Sequence, residues 1–145
     1  MNMKRYLTAL AAAFILVSCA TPDPLTELTD NVFELAKIQY AAMDEALDEG
    51  EYPRTTNADG SLRTSDEGWW CSGFYPGSLW YIYDYTGDET FRDLAWKHTR
   101  SLEGLIERHT DHDIGFQINC SYGNALRLTG DSAAVVPTYV AAARK

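Results

Sequence analysis

Apolar residues at Leu28, Val32, Leu35, Ala42 and Ala46 recur at helical spacing and stop before Gly50, which predicts a first helix with a glycine at its C-terminal end. A short Pro-containing linker, Thr21 to Leu25, precedes it. From Glu51 to Gly68 the chain is polar, carries Pro53 and Asn57-Ala58-Asp59-Gly60, shows no strand pattern and reads as a long loop. From Tyr75-Pro76 through Tyr85 it reads helical again, with proline tolerated in the first turn. Thr86-Gly87-Asp88 then supplies a left-handed C-terminal glycine followed at once by an N-cap aspartate. Phe91, Leu94, Ala95, His98, Leu102, Leu105 and Ile106 mark the buried face of the next helix, up to about His109.

The same punctuation returns at Thr129-Gly130-Asp131, 43 residues on, a period typical of arrays of helix pairs. Ile118, Tyr122, Ala125 and Leu126 mark the helix that leads into it. The same offset carries Trp70 onto Asp113, so a Trp-rich and an acidic stretch open successive inner helices from one end of the array and face one mouth. Beyond it, Pro137 is expected to start a short helix that runs into Ala141 to Lys145 without a stop signal. The class is all-α, an array of helical hairpins with about two pairs and too few to close a ring.

Composition narrows this further. A chain of 145 residues with 46% hydrophobic residues supports one small domain with a core. Its formal charge of −9 and its lack of a basic run past the first few positions argue against a nucleic-acid partner, because phosphate affinity rests on Lys and Arg. Three cysteines without a CxxC support neither a disulfide scaffold nor a zinc ribbon. Cys71 and Cys120 read as buried thiols, with pairing as the alternative. Four tryptophans and nine tyrosines suit flat ligands such as sugars as well as a core.

The N-terminus carries an address. Lys4 and Arg5 precede an apolar run, Tyr6 to Val17, that breaks at Ser18-Cys19 and is too short for a stable spanning helix. Leu16-Val17-Ser18-Cys19 resembles a bacterial lipobox, so residues 1–18 are expected to be a signal peptide, Cys19 the lipidated residue, 19–26 a linker, and 27–145 the folded domain. The expected location is the bacterial cell envelope, on the periplasmic side or the outer-membrane surface, with the membrane as partner through the lipid.

Two stretches could carry chemistry. In the first, Ser65 to Gly77, adjacent Trp69 and Trp70 cannot both face one core from an extended segment, so one ring is expected in a cleft, as a platform for a sugar ring, with hydroxyls taken by neighbours such as Ser72. In the second, His109, Asp111, His112 and Asp113 lie just before an inner helix, whose N-terminus favours a carboxylate. Caps are the ordinary use of such aspartates. The helical spacing of a zincin is absent and no metal is expected. Asp111 and Asp113 are also too close in sequence to be the opposed carboxyls of an ordinary glycosidase, so a partner acid must come from elsewhere. The chain has no GxSxG, no phosphate loop and no nucleotide fingerprint.

The stretches WWCSGFYPGSLWYIYDYTGDETF, positions 69–91, and HDIGF, positions 112–116, resemble the unsaturated glucuronyl hydrolases of glycoside hydrolase family 88. The resemblance covers nearly all of positions 28–131 and implies an incomplete (α/α)6 barrel, about its first third. It implies removal of a 4,5-unsaturated uronic acid from the non-reducing end of polysaccharide-lyase products, without metal or organic cofactor. An aspartate protonates C4, water adds at C5, and the resulting hemiketal opens and expels the next sugar. Carried across, Asp113 matches the motif aspartate at the reacting ring, His112 its neighbour in the pocket, and Trp70 the tryptophan lining the substrate site. The family's other aspartate, its general acid/base, has no match here: Asp131 is the only acid after Asp113. The competing readings are an unsaturated rhamnogalacturonyl hydrolase and a non-catalytic surface glycan-binding lipoprotein.

Overall fold

The computed structural model describes residues 23–107 and 112–144. The expected signal peptide and expected lipidation at Cys19, and His109 and Asp111, lie outside the described residues. Helix α1 (Pro24–Ala46) leads into an antiparallel hairpin of β1 (Tyr52–Thr56) and β2 (Leu62–Ser65). Helices α2 (Phe74–Thr86) and α3 (Glu89–Arg100) follow, then a 3₁₀ turn (Glu103–Glu107). A broken helix comes next: α4 (Ile114–Ile118), a π turn (Asn119–Gly123) and α5 (Asn124–Thr129), with α6 (Ser132–Ala143) packing back against it.

The two repeated turns are built alike. Gly87 and Gly130 both take φ of +68°, each donating its N–H four residues back, to Tyr83 O at 2.8 Å and Leu126 O at 2.9 Å. Asp88 then accepts from Thr90 N at 3.0 Å and Asp131 from Ala134 N at 3.0 Å. The αL glycine and the aspartate cap close one helix and open the next in three residues, which sets the helix pairs antiparallel.

The core lies between these pairs. Leu79, Trp80 and Ile82 of α2 pack with Phe91 and Ala95 of α3, and Ile118, Tyr122, Ala125 and Val135 continue the same cluster. Trp80 is fully buried, and its Nε1 donates to Thr99 Oγ1 at 3.0 Å, so the largest core side chain keeps its polar atom satisfied.

Three expectations are corrected. The stretch read as a loop holds the hairpin, closed at its tip by Asn57 N to Ser61 O at 2.9 Å and by Gly60 at φ +84°. Its one large buried side chain is Tyr52, whose hydroxyl donates to His98 O at 3.2 Å and contacts Ser101 Oγ. The linker and the first helix overlap, because Pro24 sits inside the first turn of α1. Pro137 lies in the interior of α6, because the Asp131 cap starts that helix five residues earlier.

The first helix also docks by a different face from the stripe read in the sequence. Leu28, Val32 and Leu35 are exposed, while Phe33, Ala36, Tyr40, Met43 and Leu47 pack on the core. Phe33 stacks on Tyr85 at 4.1 Å and Tyr40 on Tyr75 at 5.7 Å. Asp30 accepts from the Tyr85 hydroxyl at 2.6 Å, Lys37 pairs with Asp88 at 3.0 Å, and Asp44 takes bonds from Lys97 at 3.0 Å and His98 at 2.6 Å. No described helix is long and apolar enough to cross a membrane.

Candidate functional site

The Trp-rich segment turns tightly before α2. Asp66 accepts from Gly68 N at 3.0 Å, Trp69 O accepts from Ser72 N at 2.9 Å, and Cys71 O from Phe74 N at 3.0 Å. This turn splits the two tryptophans. Trp69 is half-buried beneath the Arg54 guanidinium, 3.6 Å from its ring, whereas Trp70 is 45% exposed. Arg54 reaches Trp69 because the ladder between β1 and β2 slips at that residue: Pro53 pairs with Thr64 and Thr55 with Arg63, leaving Arg54 bulged.

The second stretch meets the first through aromatic rings. Trp70 lies edge-on to Phe74 with centroids 5.7 Å apart, and Phe74 is 6.3 Å from Phe116. Phe74 and Phe116 are 41% and 49% exposed, so with Trp70 they form an open aromatic strip across the starts of α2 and α4. Phe116 N donates to Asp113 O at 2.9 Å, which fixes Asp113 at the end of that strip. The Asp113 side chain is 23% exposed, makes no capping hydrogen bond to α4, and lies 3.2 Å from His112 Nε2. His112 itself is 86% exposed. Trp70 is thus linked to Asp113 and His112 through a run of contacts by way of Phe74 and Phe116.

Gln117 and Arg54 lie outside the two stretches that the sequence singles out, whereas Gly73, Phe74 and Phe116 lie within them. Gln117 is 3% exposed, and its Nε2 lies 3.0 Å from Glu67 O, 3.0 Å from Trp69 O and 3.1 Å from Ser72 Oγ. A Cβ on Gly73 would fall inside the Gln117 carbonyl, so the two backbones touch where any larger residue would part them. The available signal was a lone glutamine in the apolar run Ile114 to Ile118. Cys71 and Cys120 are half-buried free thiols, and burial pushes Cys120 above its ordinary range. No group of three or more metal-ligating side chains occurs among the described residues. An apolar cleft of about 590 Å³ between α1 and the hairpin, bordered by Met43, Pro53 and Tyr75, contains none of the site residues.

No family model matches the chain. The unsaturated glucuronyl hydrolase of Formosa agariphila is 40% identical over 63 residues, 43% of this chain and 16% of the relative. The resemblance is to the unsaturated glucuronyl hydrolases. The unsaturated chondroitin disaccharide hydrolase of Streptococcus agalactiae is 27% identical over 144 residues, 97% of this chain and 33% of the relative. The chain thus spans a third or less of the length of these curated relatives. Among solved structures, an unsaturated glucuronyl hydrolase specific for heparin matches with a TM-score of 0.66 at 38% identity, covering 70% of this chain and 27% of that one. A mutant of the unsaturated glucuronyl hydrolase from Streptococcus agalactiae, complexed with dGlcA-GalNAc6S, matches with a TM-score of 0.69 at 27% identity, over 79% and 31% of the two chains. The helical hairpins of this chain accordingly share their fold with part of the α/α barrel of unsaturated glucuronyl hydrolases.

Proposed function

We propose that this chain carries one side of the active site of a glycoside hydrolase that removes 4,5-unsaturated uronic acid from the non-reducing end of glycosaminoglycan-type oligosaccharides. The carrying observation is the strip Trp70, Phe74 and Phe116 leading to Asp113. Exposed rings in a row offer stacking surfaces for the apolar faces of successive sugar units, and a half-buried carboxylate at the end of the row offers a polar group to the terminal ring.

The proposed chemistry is hydration of the vinyl ether. A proton adds at C4, positive character develops at C5 and the ring oxygen, water adds at C5, and the hemiketal opens with release of the next sugar. Asp113 is suited to stabilising the developing positive charge and to orienting the water. The proton donor is then a second carboxyl. Asp131 does not fill that place, since it caps α6. In this reading the 145-residue polypeptide binds the sugar and does not turn it over without that carboxyl. The Asp131 assignment equally favours the second reading, a surface glycan-binding lipoprotein without turnover. An unsaturated rhamnogalacturonyl hydrolase remains the close enzymatic variant.

The chain is titrated with an unsaturated disaccharide while tryptophan emission and the absorbance of the C4=C5 double bond are followed. Saturable quenching that Trp70→Ala removes is expected, with no loss of absorbance. Equal binding by Trp70→Ala, or none by the parent chain, sinks the reading. Steady loss of absorbance would show that the donor is present after all. In a version that carries the second carboxyl, Asp113→Asn is expected to cut turnover about 10²–10⁴-fold, whereas Trp70→Ala raises the substrate concentration required. The same proposal places the protein on the cell envelope through Cys19. Labelling with a fatty-acid analogue marks the parent chain and not Cys19→Ala; equal labelling refutes the anchor.

A further inference from the structure

We propose that Gln117 is a positioning residue that sets the distance between the Trp70 platform and Asp113. Ser72 shapes the Trp loop from within: its N–H bonds Trp69 O at 2.9 Å and its Oγ bonds Glu67 O at 2.8 Å. The Gln117 Nε2 then approaches the same two carbonyls, each at 3.0 Å, and Ser72 Oγ at 3.1 Å. The loop's shape thus comes from Ser72, and its place on the molecule comes from Gln117.

The other end of the connection is equally short. Gln117 N donates to Asp113 O at 3.2 Å, so Trp69 and Asp113 are joined through the side chain and backbone of one residue. At the same point Gly73 lets the loop backbone lie directly on the Gln117 carbonyl, which leaves no slack between loop and helix. An apolar side chain of equal length would fill the volume, but it would leave the loop without a donor from α4. The structural prediction is specific: losing the amide moves the loop relative to Asp113 while the α2–α3 core stays in place.

The test uses the whole chain labelled with 5-fluorotryptophan and read by fluorine NMR, with signals assigned by single Trp→Phe variants. In Gln117→Leu the Trp69 and Trp70 signals are expected to shift or broaden, whereas those of Trp80 and Trp96, in α2 and α3, hold. Gln117→Glu gives a second reading. When protonated, the new carboxyl donates one O–H and the loop signals approach those of the parent; when ionised, it faces two carbonyl oxygens and they broaden. The titratable or charged groups on the segments that meet here are Asp66, Glu67 and Cys71 of the loop, His112, Asp113 and Cys120 before and after α4, and Arg54 of β1. All of them are present in the parent, so the pH step is taken as the difference between variant and parent.

Unmoved loop signals in Gln117→Leu overturn the proposal, and so does movement of all four tryptophans together in a folded protein. If Gln117→Leu fails to fold, the Gln117→Glu titration decides, and the absence of a pH step refutes the clamp. A ligand arm rests on the functional reading above: with the unsaturated disaccharide as probe, Gln117→Leu is expected to bind about tenfold more weakly, and Gln117→Glu to recover as it is protonated. Unchanged affinity despite moved loop signals also overturns the proposal, because position would then not matter to the site. If neither parent nor variant binds the disaccharide while the loop signals move as expected, the clamp is supported and the glycan reading falls.

Discussion

Helix α1 and the α2–α3 pair are held to the same core by opposite means. Between α2 and α3 the contact is apolar and closed: Leu79, Trp80 and Ala95 have no exposed surface, and the Trp80 indole finds its one partner in Thr99. Helix α1 has no buried residue at all. It is held by rings that stack, Phe33 on Tyr85 and Tyr40 on Tyr75, and by carboxylates that reach across, Asp30 to Tyr85 and Asp44 to Lys97 and His98. Burial resists change in volume, whereas a polar latch resists change in protonation. The two attachments should therefore fail under different stresses.

The sharpest way to break this contrast is to empty the closed side. Trp80→Ala removes the largest fully buried side chain and orphans the Thr99 hydroxyl, for an expected loss of about 3–5 kcal/mol. Urea unfolding followed by circular dichroism should lose its folded baseline or move close to zero denaturant. A loss under about 1 kcal/mol would mean that the α2–α3 contact is no more decisive than an ordinary surface position.

The polar latch should respond to acid instead. Burial disfavours charge on Asp44, but the hydrogen bonds and charges of His98 and Lys97 outweigh it and hold the carboxyl below its ordinary 3.8. Burial also pushes His98 below its ordinary 6.5, against the pull of Asp44. Both shifts have one sign: the unfolded chain takes up each proton before the folded chain does, so acid favours unfolding. Stability should first decline as pH falls from 6.5 through the folded value of His98. It should decline again below 3.8, as Asp44 is protonated. Asp44→Asn should cost about 1–2 kcal/mol near neutral pH and shrink the second decline, to which Asp59 and Asp88, also held below their ordinary value, still contribute. A parent protein that becomes more stable as pH falls through 6.5 would contradict the latch.

The same contrast explains which parts of the fold and site were legible in the sequence. The turns at Gly87 and Gly130 were legible because a left-handed glycine and a following aspartate cap act within three residues. Their equal spacing also aligned Trp70 with Asp113, the first just before α2 and the second just before α4. The docking face of α1 was not legible: this helix carries two apolar stripes, and periodicity cannot say which of them finds a partner. The stripe with Leu28, Val32 and Leu35 is the more aliphatic, yet it is the aromatic one, with Phe33 and Tyr40, that stacks on α2. The hairpin was hidden because one buried residue, Tyr52, anchors a polar sequence whose pairing is otherwise backbone to backbone. Gln117 was hidden for a related reason, since its importance comes from a contact between segments that lie far apart in the chain.

The smallest expected effect tests the exposed stripe. Leu25, Leu28, Val32, Leu35 and Ile38 all lie at least half exposed along one side of α1. Such a run exceeds the scattered apolar residues that a soluble surface normally carries, so it should take up a hydrophobic dye. Replacing Leu28 and Leu35 together by glutamine removes two exposed side chains and keeps helix propensity nearly level. Unfolding free energy should change by less than about 0.5 kcal/mol, while dye emission falls clearly. The two readouts separate because a side chain already in water contributes little to folding but still offers apolar area to a ligand. A loss approaching that of Trp80→Ala would show that Leu28 and Leu35 are packed after all. The division between a closed α2–α3 contact and a latched α1 would then have to be redrawn.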